Sequence, residues 1–231
     1  MKDEKAKALP REDRRMTPQQ RTTAGKPFYS RAEFLYFRSG RAYSPLAVFF
    51  GRKERDMSFR QTLISSCAPF GIVLTDGQLD LCEKYFDMLV ETNRSMNLTA
   101  ITDPDQAAVL HFSDSLALLK FIDIPRSARL IDVGTGAGFP GLPLKIARND
   151  IDLTLLDALN KRLGFLQSVL YNTGLTAGLL HSRAEDAGRD PAFRESFDVA
   201  VCRAVAKLNV LAEYCLPLLK CAGVLDRKSV V

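Results

Sequence analysis

The residues with chemistry in their spacing lie near the middle of the chain. Leu130-Ile131-Asp132-Val133 is an apolar run carrying one acid, and it leads directly into Gly134-Thr135-Gly136-Ala137-Gly138-Phe139-Pro140-Gly141. Three glycines in five residues allow positive φ, or an approach to the backbone closer than a Cβ would permit. At the end of a buried strand and the start of a helix, such a loop offers its peptide groups to a nucleoside or phosphate ligand. Asp157 follows 19 positions beyond Gly138, at the end of a second apolar run. That is close to the offset of about 20 at which an acid accepts hydrogen bonds from ribose hydroxyls. The same side chain could instead cap the helical segment that begins at Asn160.

The elements that must hold these residues can be read outward from the loop. Thr75-Asp76-Gly77-Gln78 has the form of a capping box, and Leu79, Cys82, Phe86, Leu89 and Val90 recur at helical spacing behind it, predicting a helix to about Arg94. Asp103 before Pro104 predicts a second helix, running through His111 toward Lys120. From Arg129 strands alternate with helices. Strands are expected at 130–133, 153–156, 179–181 and 197–202, and helices at 141–148, 161–171 and 208–219. The strands are apolar on both faces, as in a parallel sheet covered by helices, so the expected fold is a doubly wound α/β sheet with its ligand at the carboxyl ends of the strands.

Composition bounds the function. At 231 residues and 46% hydrophobic content the chain can bury a full core. No apolar run approaches the roughly 20 residues that cross a bilayer, and Leu46–Phe50 is too short for a signal peptide. Cys67, Cys82, Cys202, Cys215 and Cys221 include no C-x-x-C pair and read as small core residues of a reducing cytoplasm, with no metal site. The net charge is +5. Residues 1–57 hold 14 Lys and Arg against 7 Asp and Glu, whereas residues 58–231 hold 18 against 20. The basic balance thus belongs to the N-terminal segment and does not by itself assign nucleic-acid binding to the rest.

Two cofactors could use the glycine loop. A dinucleotide fingerprint, G-x-G-x-x-G, needs glycine where Phe139 stands, whereas Asp132 ahead of a G-x-G-x-G loop resembles the first motif of class I S-adenosylmethionine-dependent methyltransferases. Five blocks extend the resemblance from about Met57 to Gly223: Asn97–Ile101, His111–Leu116, Ile131–Pro143, Leu155–Arg162 with Phe165-Leu166, and Phe197–Val199 with Cys202–Ala204. Together they are similar to the ribosomal RNA small-subunit methyltransferase G family. That resemblance implies a class I, Rossmann-like fold and transfer of a methyl group from S-adenosyl-L-methionine to N7 of a guanine in 16S ribosomal RNA. It also implies that Gly134, Phe139, Ala184, Glu185 and Arg203 contact the cofactor, to which the spacing adds Gly136, Gly138 and Asp157. Each has a plainer role open to it: Phe139 as packing, Glu185 as a solvated loop acid, Arg203 as an ion-pair partner of Asp198 or Asp157.

Guanine N7 carries a lone pair and no proton, so this chemistry asks for in-line positioning rather than a general base, and no catalytic acid or base is expected. His111 is read as orienting the helices against the loop, and His181 as structural. Because N7 lies in the deep groove of A-form RNA, the target guanine should be unpaired. Lys161 and Arg162 near the cofactor rim, with Lys145, Arg148 and Lys207, are candidate phosphate contacts, a solvated helix surface being the plainer alternative. The expected layout is a disordered basic extension over 1–56, a helical cap over 57–124 and a methyltransferase core over 125–231. Cys221–Leu225 reads as entry to a fifth strand, so the core is expected to be C-terminally truncated, lacking its last strands and exposing apolar surface. A cytoplasmic monomer, with no membrane partner, completes the expectation.

Overall fold

A computed structural model describes residues 58–228 and, ahead of them, a small antiparallel pair in which Tyr36–Arg38 runs against Arg41–Tyr43. The expectation of disorder over 1–56 otherwise falls outside the described residues.

Helix α1 (Phe59–Cys67) begins where Ser58 and Gln61 exchange backbone and side-chain bonds, and it buries Phe59, Leu63 and Cys67 on one face. The capping box read at Thr75 and Gln78 makes both of its bonds and starts α2 (Asp76–Asn93). This helix buries Leu79, Cys82, Tyr85, Phe86 and Leu89. Asp103 caps Pro104–Ala107 through the Gln106 N–H. The run then widens into a π-helical stretch, Ala108–Ser113, before returning to α geometry at Asp114–Leu116 and Leu118–Phe121. We call this whole run α3.

Five parallel strands follow: β1 (Arg129–Val133), β2 (Asp152–Asp157), β3 (Gly178–His181), β4 (Phe197–Arg203) and β5 (Leu219–Lys228). Their order is β3-β2-β1-β4-β5. Leu130 lies beside Leu153 on one side and Val199 on the other. Helices α4 (Gly141–Ala147), α5 (Asn160–Thr173), α6 (Ala184–Ala187) and α7 (Leu208–Cys215) connect them. The chain order turns around between β1 and β4, which is where ligands bind in sheets of this kind.

Two sequence expectations change at the C-terminal side. The helix read over 208–219 stops at Cys215, because Pro217 lies within a 3₁₀ turn, Leu216–Leu218. The strand entry read at Cys221 is a strand of ten residues paired along β4, with an irregularity between Phe197 and Val199. Among the described residues the sheet therefore has five strands rather than four and a beginning.

Strand alternation divides the core in two. Leu130, Leu153, Leu155, Val199 and Val201 face a cluster shared with α1, α2, α4 and α5. Ile131, Val133, Leu156, Ala200 and Cys202 face a second cluster with Leu211, Cys215 and Leu218. By the same period of two, Asp132, Asp157 and Arg203 all fall on the first face, the one covered by the N-terminal helices.

Candidate functional site

The glycine loop is shaped by conformation and by exclusion. Gly134, Gly136 and Gly138 have φ of 69°, 60° and 105°, so all three sit where an L side chain is strained. A Cβ on Gly138 would lie 2.6 Å from Tyr85 Oη, and one on Gly134 would lie 2.7 Å from Val205 Cγ2. At Gly136 a Cβ would meet only the Gly134 carbonyl, at 3.9 Å. Space thus remains open at Gly136, and this is where a ligand could reach bare backbone.

Two acids and one backbone carbonyl anchor the loop. Gly134 and Thr135 both donate backbone N–H groups to the Leu156 carbonyl, at 2.9 and 3.0 Å. The Gly136 N–H donates to Asp157 Oδ2 at 2.9 Å, and Leu159 N–H to Oδ1 at 2.8 Å. Arg162 Nη1 lies 3.3 Å from the same Oδ2. Asp157 therefore ties the loop to the turn after β2. It does not cap α5, whose N-cap is Leu159. Asp132 Oδ2 accepts from Thr135 Oγ1 at 2.7 Å and from the Gly141 N–H at 2.9 Å, spanning the loop from first residue to helix start. Its Oδ1 is buried without a hydrogen-bond partner. Burial pushes the Asp132 carboxyl up to about 6, although Thr135, Gly141 and the nearby Arg203 charge all favour its ionised form.

The helices reach the loop through an aromatic cluster centred on Phe139. Tyr85 from α2 stacks on it at 5.2 Å between centroids, His111 from α3 at 4.7 Å, and Phe112 meets it edge-on at 5.3 Å. Arg203, from the end of β4, sets its guanidinium 4.9 Å from the Phe139 centroid and donates from Nη1 to the Leu110 carbonyl at 3.1 Å. Leu110 lies within the π-helical stretch of α3. Nη1 is also 3.7 Å from Asp114 Oδ2. Burial lowers Arg203 to about 10, while Asp132 and Tyr85 act to raise it. Burial also lowers His111 to about 3, aided by the Arg203 charge, so the imidazole is neutral and lies 2.8 Å from Thr99 Oγ1.

Several sequence expectations are revised by these contacts. Phe139 is 3% exposed, its side chain packed among Tyr85, His111 and Phe112 while its backbone borders the loop. Arg203 pairs with neither Asp198 nor Asp157: it reaches Asp114 and the Leu110 carbonyl of the helix packed over its own sheet face, and Asp198 takes Lys220 and the Arg129 N–H. Glu185, in α6 beside Ala184, is half-buried, and its charge raises the pKa of the Tyr214 hydroxyl of α7. Lys145 is buried and donates to the Asn149 and Ile151 carbonyls, and Arg148 is occupied by Asp150, Ile124 and Pro125. Neither is available to a phosphate. Arg162 is drawn to Asp157, while Lys161 and Lys207 are exposed. His111 packs from α3 against Phe139 of the loop, as expected, and His181 meets the Ala158 carbonyl. Tyr85, Thr135 and Gly141 were not singled out by spacing. Tyr85 looks like one more apolar face residue of its helix, and only the tertiary fold brings its hydroxyl to the loop.

A parallel sheet of this order, with a glycine loop at its turnaround, defines a Rossmann-like α/β protein. Residues 78–225 match the family model described as rRNA small subunit methyltransferase G, and the chain belongs to that family. A relative named Ribosomal RNA small subunit methyltransferase G from Desulforamulus reducens is 52% identical over 151 residues, 65% of this chain and 63% of that protein. One of the same name from Alkaliphilus oremlandii is 48% identical over 168 residues, 72% of this chain and 70% of that one. The chain thus spans 63% to 70% of the length of these relatives. A solved S-adenosylmethionine-dependent methyltransferase from Aquifex aeolicus aligns with a TM-score of 0.39 and 21% identity, over 51% of this chain and 63% of that one.

Proposed function

We propose that the chain transfers a methyl group from S-adenosyl-L-methionine to N7 of a guanine in 16S ribosomal RNA. The observation that carries this reading is the family match over 78–225, which contains the glycine loop, Asp157 and the end of β4. The loop suits the cofactor: its glycines leave open backbone at Gly136, and Asp157 and the half-buried Glu185 border the same ends of the strands. Gly134, Gly136, Gly138, the Phe139 backbone, Asp157, Ala184, Glu185 and Arg203 would hold it. When bound, it supplies a methyl group already activated on a sulfonium.

The protein's own task is placement. N7 needs no deprotonation, and His111, the histidine nearest the loop, is buried and held neutral, which suits a reaction without a general base. The helices of 57–124 act here as part of the cofactor site rather than as a separate module. Lys161 and Lys207, with Arg162 where it can leave Asp157, serve as RNA contacts. A monomer acting in the cytoplasm is sufficient, since loop, acids and cation come from one chain.

The test is incubation of unmethylated small ribosomal subunits with the protein and labelled S-adenosylmethionine, followed by mapping of the label. Label at N7 of one guanine is expected. Cofactor binding without transfer, or thermal stabilisation by NAD and none by S-adenosylmethionine, would overturn the reading.

A further inference from the structure

We propose that Tyr85 is a positioning residue of the cofactor loop, its hydroxyl fixing the direction of the Ala137 peptide. The inference rests on the reading of that loop as the S-adenosylmethionine site. Tyr85 belongs to α2 and is fully buried, and its Oη donates to the Ala137 carbonyl. Ala137 stands between Gly136 and Gly138, both at positive φ. A peptide joined to glycine turns over more easily than one between ordinary residues, because glycine tolerates either sign of φ. The peptide linking Ala137 to Gly138 is therefore a soft joint of the loop, and a hydrogen bond secures each of its ends. The Gly138 N–H is held by the Thr135 carbonyl at 2.8 Å, and the Ala137 carbonyl by Tyr85.

The direction of that carbonyl matters to a ligand. With Tyr85 in place it points to the helices, leaving the open side of the loop at Gly136 free of its partial negative charge. Released, it could turn outward into the space that the glycines keep clear. Packing explains why the clamp stays aligned. The Tyr85 ring is stacked on Phe139 at 22° and packed edge-on against Phe112 at 5.4 Å, so the ring has little freedom to withdraw. The geometry also explains Gly138: a Cβ there would stand 2.6 Å from Tyr85 Oη, so the residue must be glycine for the hydroxyl to reach its partner.

Tyr85→Phe removes the hydroxyl and keeps the ring stack. Titration calorimetry with S-adenosylmethionine and S-adenosylhomocysteine should show dissociation constants raised about tenfold, the loss expected for one buried hydrogen bond. The KM for S-adenosylmethionine should rise in step while kcat and the KM for ribosomal subunits stay within about twofold, and exchange of the amides at 136–138 should quicken. Phe86→Leu, a neighbour on α2 that stacks on Phe59 at 4.9 Å away from the loop, is the control for lost stability. It should lower the melting temperature and leave cofactor affinity alone. Tyr85→Phe binding within twofold of the wild type, unchanged exchange at 136–138, or an equal loss of affinity in Phe86→Leu would each overturn the role of Tyr85. Failure of the wild-type protein to bind either ligand would instead overturn the reading of the site itself.

Discussion

His111 owes its charge state to its surroundings rather than to its type. It is buried against Phe139 with the Arg203 guanidinium nearby, and both burial and that cation hold its pKa at about 3, against 6.5 for a free histidine. A group whose folded pKa is depressed stabilises the fold fully above its unfolded pKa and loses that contribution as pH falls toward the folded value. Comparing wild type with His111→Asn by thermal denaturation should therefore show the wild type losing ground between pH 6.5 and pH 4. The relative loss should reach about 2 kcal/mol by pH 5, and a difference independent of pH would contradict the burial argument. Other residues show where reading by type succeeds or fails. Gly134, Gly136 and Gly138 are legible because few residues other than glycine take positive φ at such short spacing. Lys145 is not, since a lysine on a helix is normally solvated, and only the fold supplies the Asn149 and Ile151 carbonyls that bury its ammonium.

Among the elements, α2 illustrates the same division. Its start was written locally, in a threonine and a glutamine three residues apart whose bonds do not depend on the rest of the chain. The second duty of Gln78 is not local: its amide also donates to the Ile146 and Ala147 carbonyls at the end of α4, at 3.0 and 3.1 Å. One side chain thus starts one helix and closes another. Gln78→Ala should cost about 1–2 kcal/mol, read as a melting temperature lower by about 3–6 °C, whereas Gln61→Ala in the corresponding box of α1 should cost less. Equal losses would show that the bonds to α4 contribute nothing. The first four strands were legible from apolar runs, with ends within a residue, whereas only the entry to the fifth was. The π-helical stretch of α3 was not, because its signal is a hydrogen-bond offset rather than a residue type. That offset bears on the site, since Arg203 reaches the Leu110 carbonyl within it.

At the scale of the molecule, charge and core tell different stories. The basic surplus lies in residues 1–57, and residues 58–231 carry slightly more acids than bases, so the RNA contact proposed for the described part would rest on a few placed cations rather than on a general field. Lys161 is exposed beside the Asp157–Arg162 pair, and its reversal, Lys161→Glu, should weaken binding to ribosomal subunits several-fold and reduce the salt slope of binding by about one, with S-adenosylmethionine affinity unchanged. Unaltered subunit binding would remove this residue from the interface. One core, by contrast, runs from Phe59 in the first helix to Val201 in the fourth strand. Its consequence lies in time. The Tyr85 hydroxyl precedes its partner at Ala137 by 52 residues, and the Leu110 carbonyl precedes Arg203 by 93. During synthesis the N-terminal helices emerge from the ribosome long before the groups they are shaped to hold. The bond from Tyr85 can form only once Ala137 has been made, and the one from the Leu110 carbonyl only once Arg203 has.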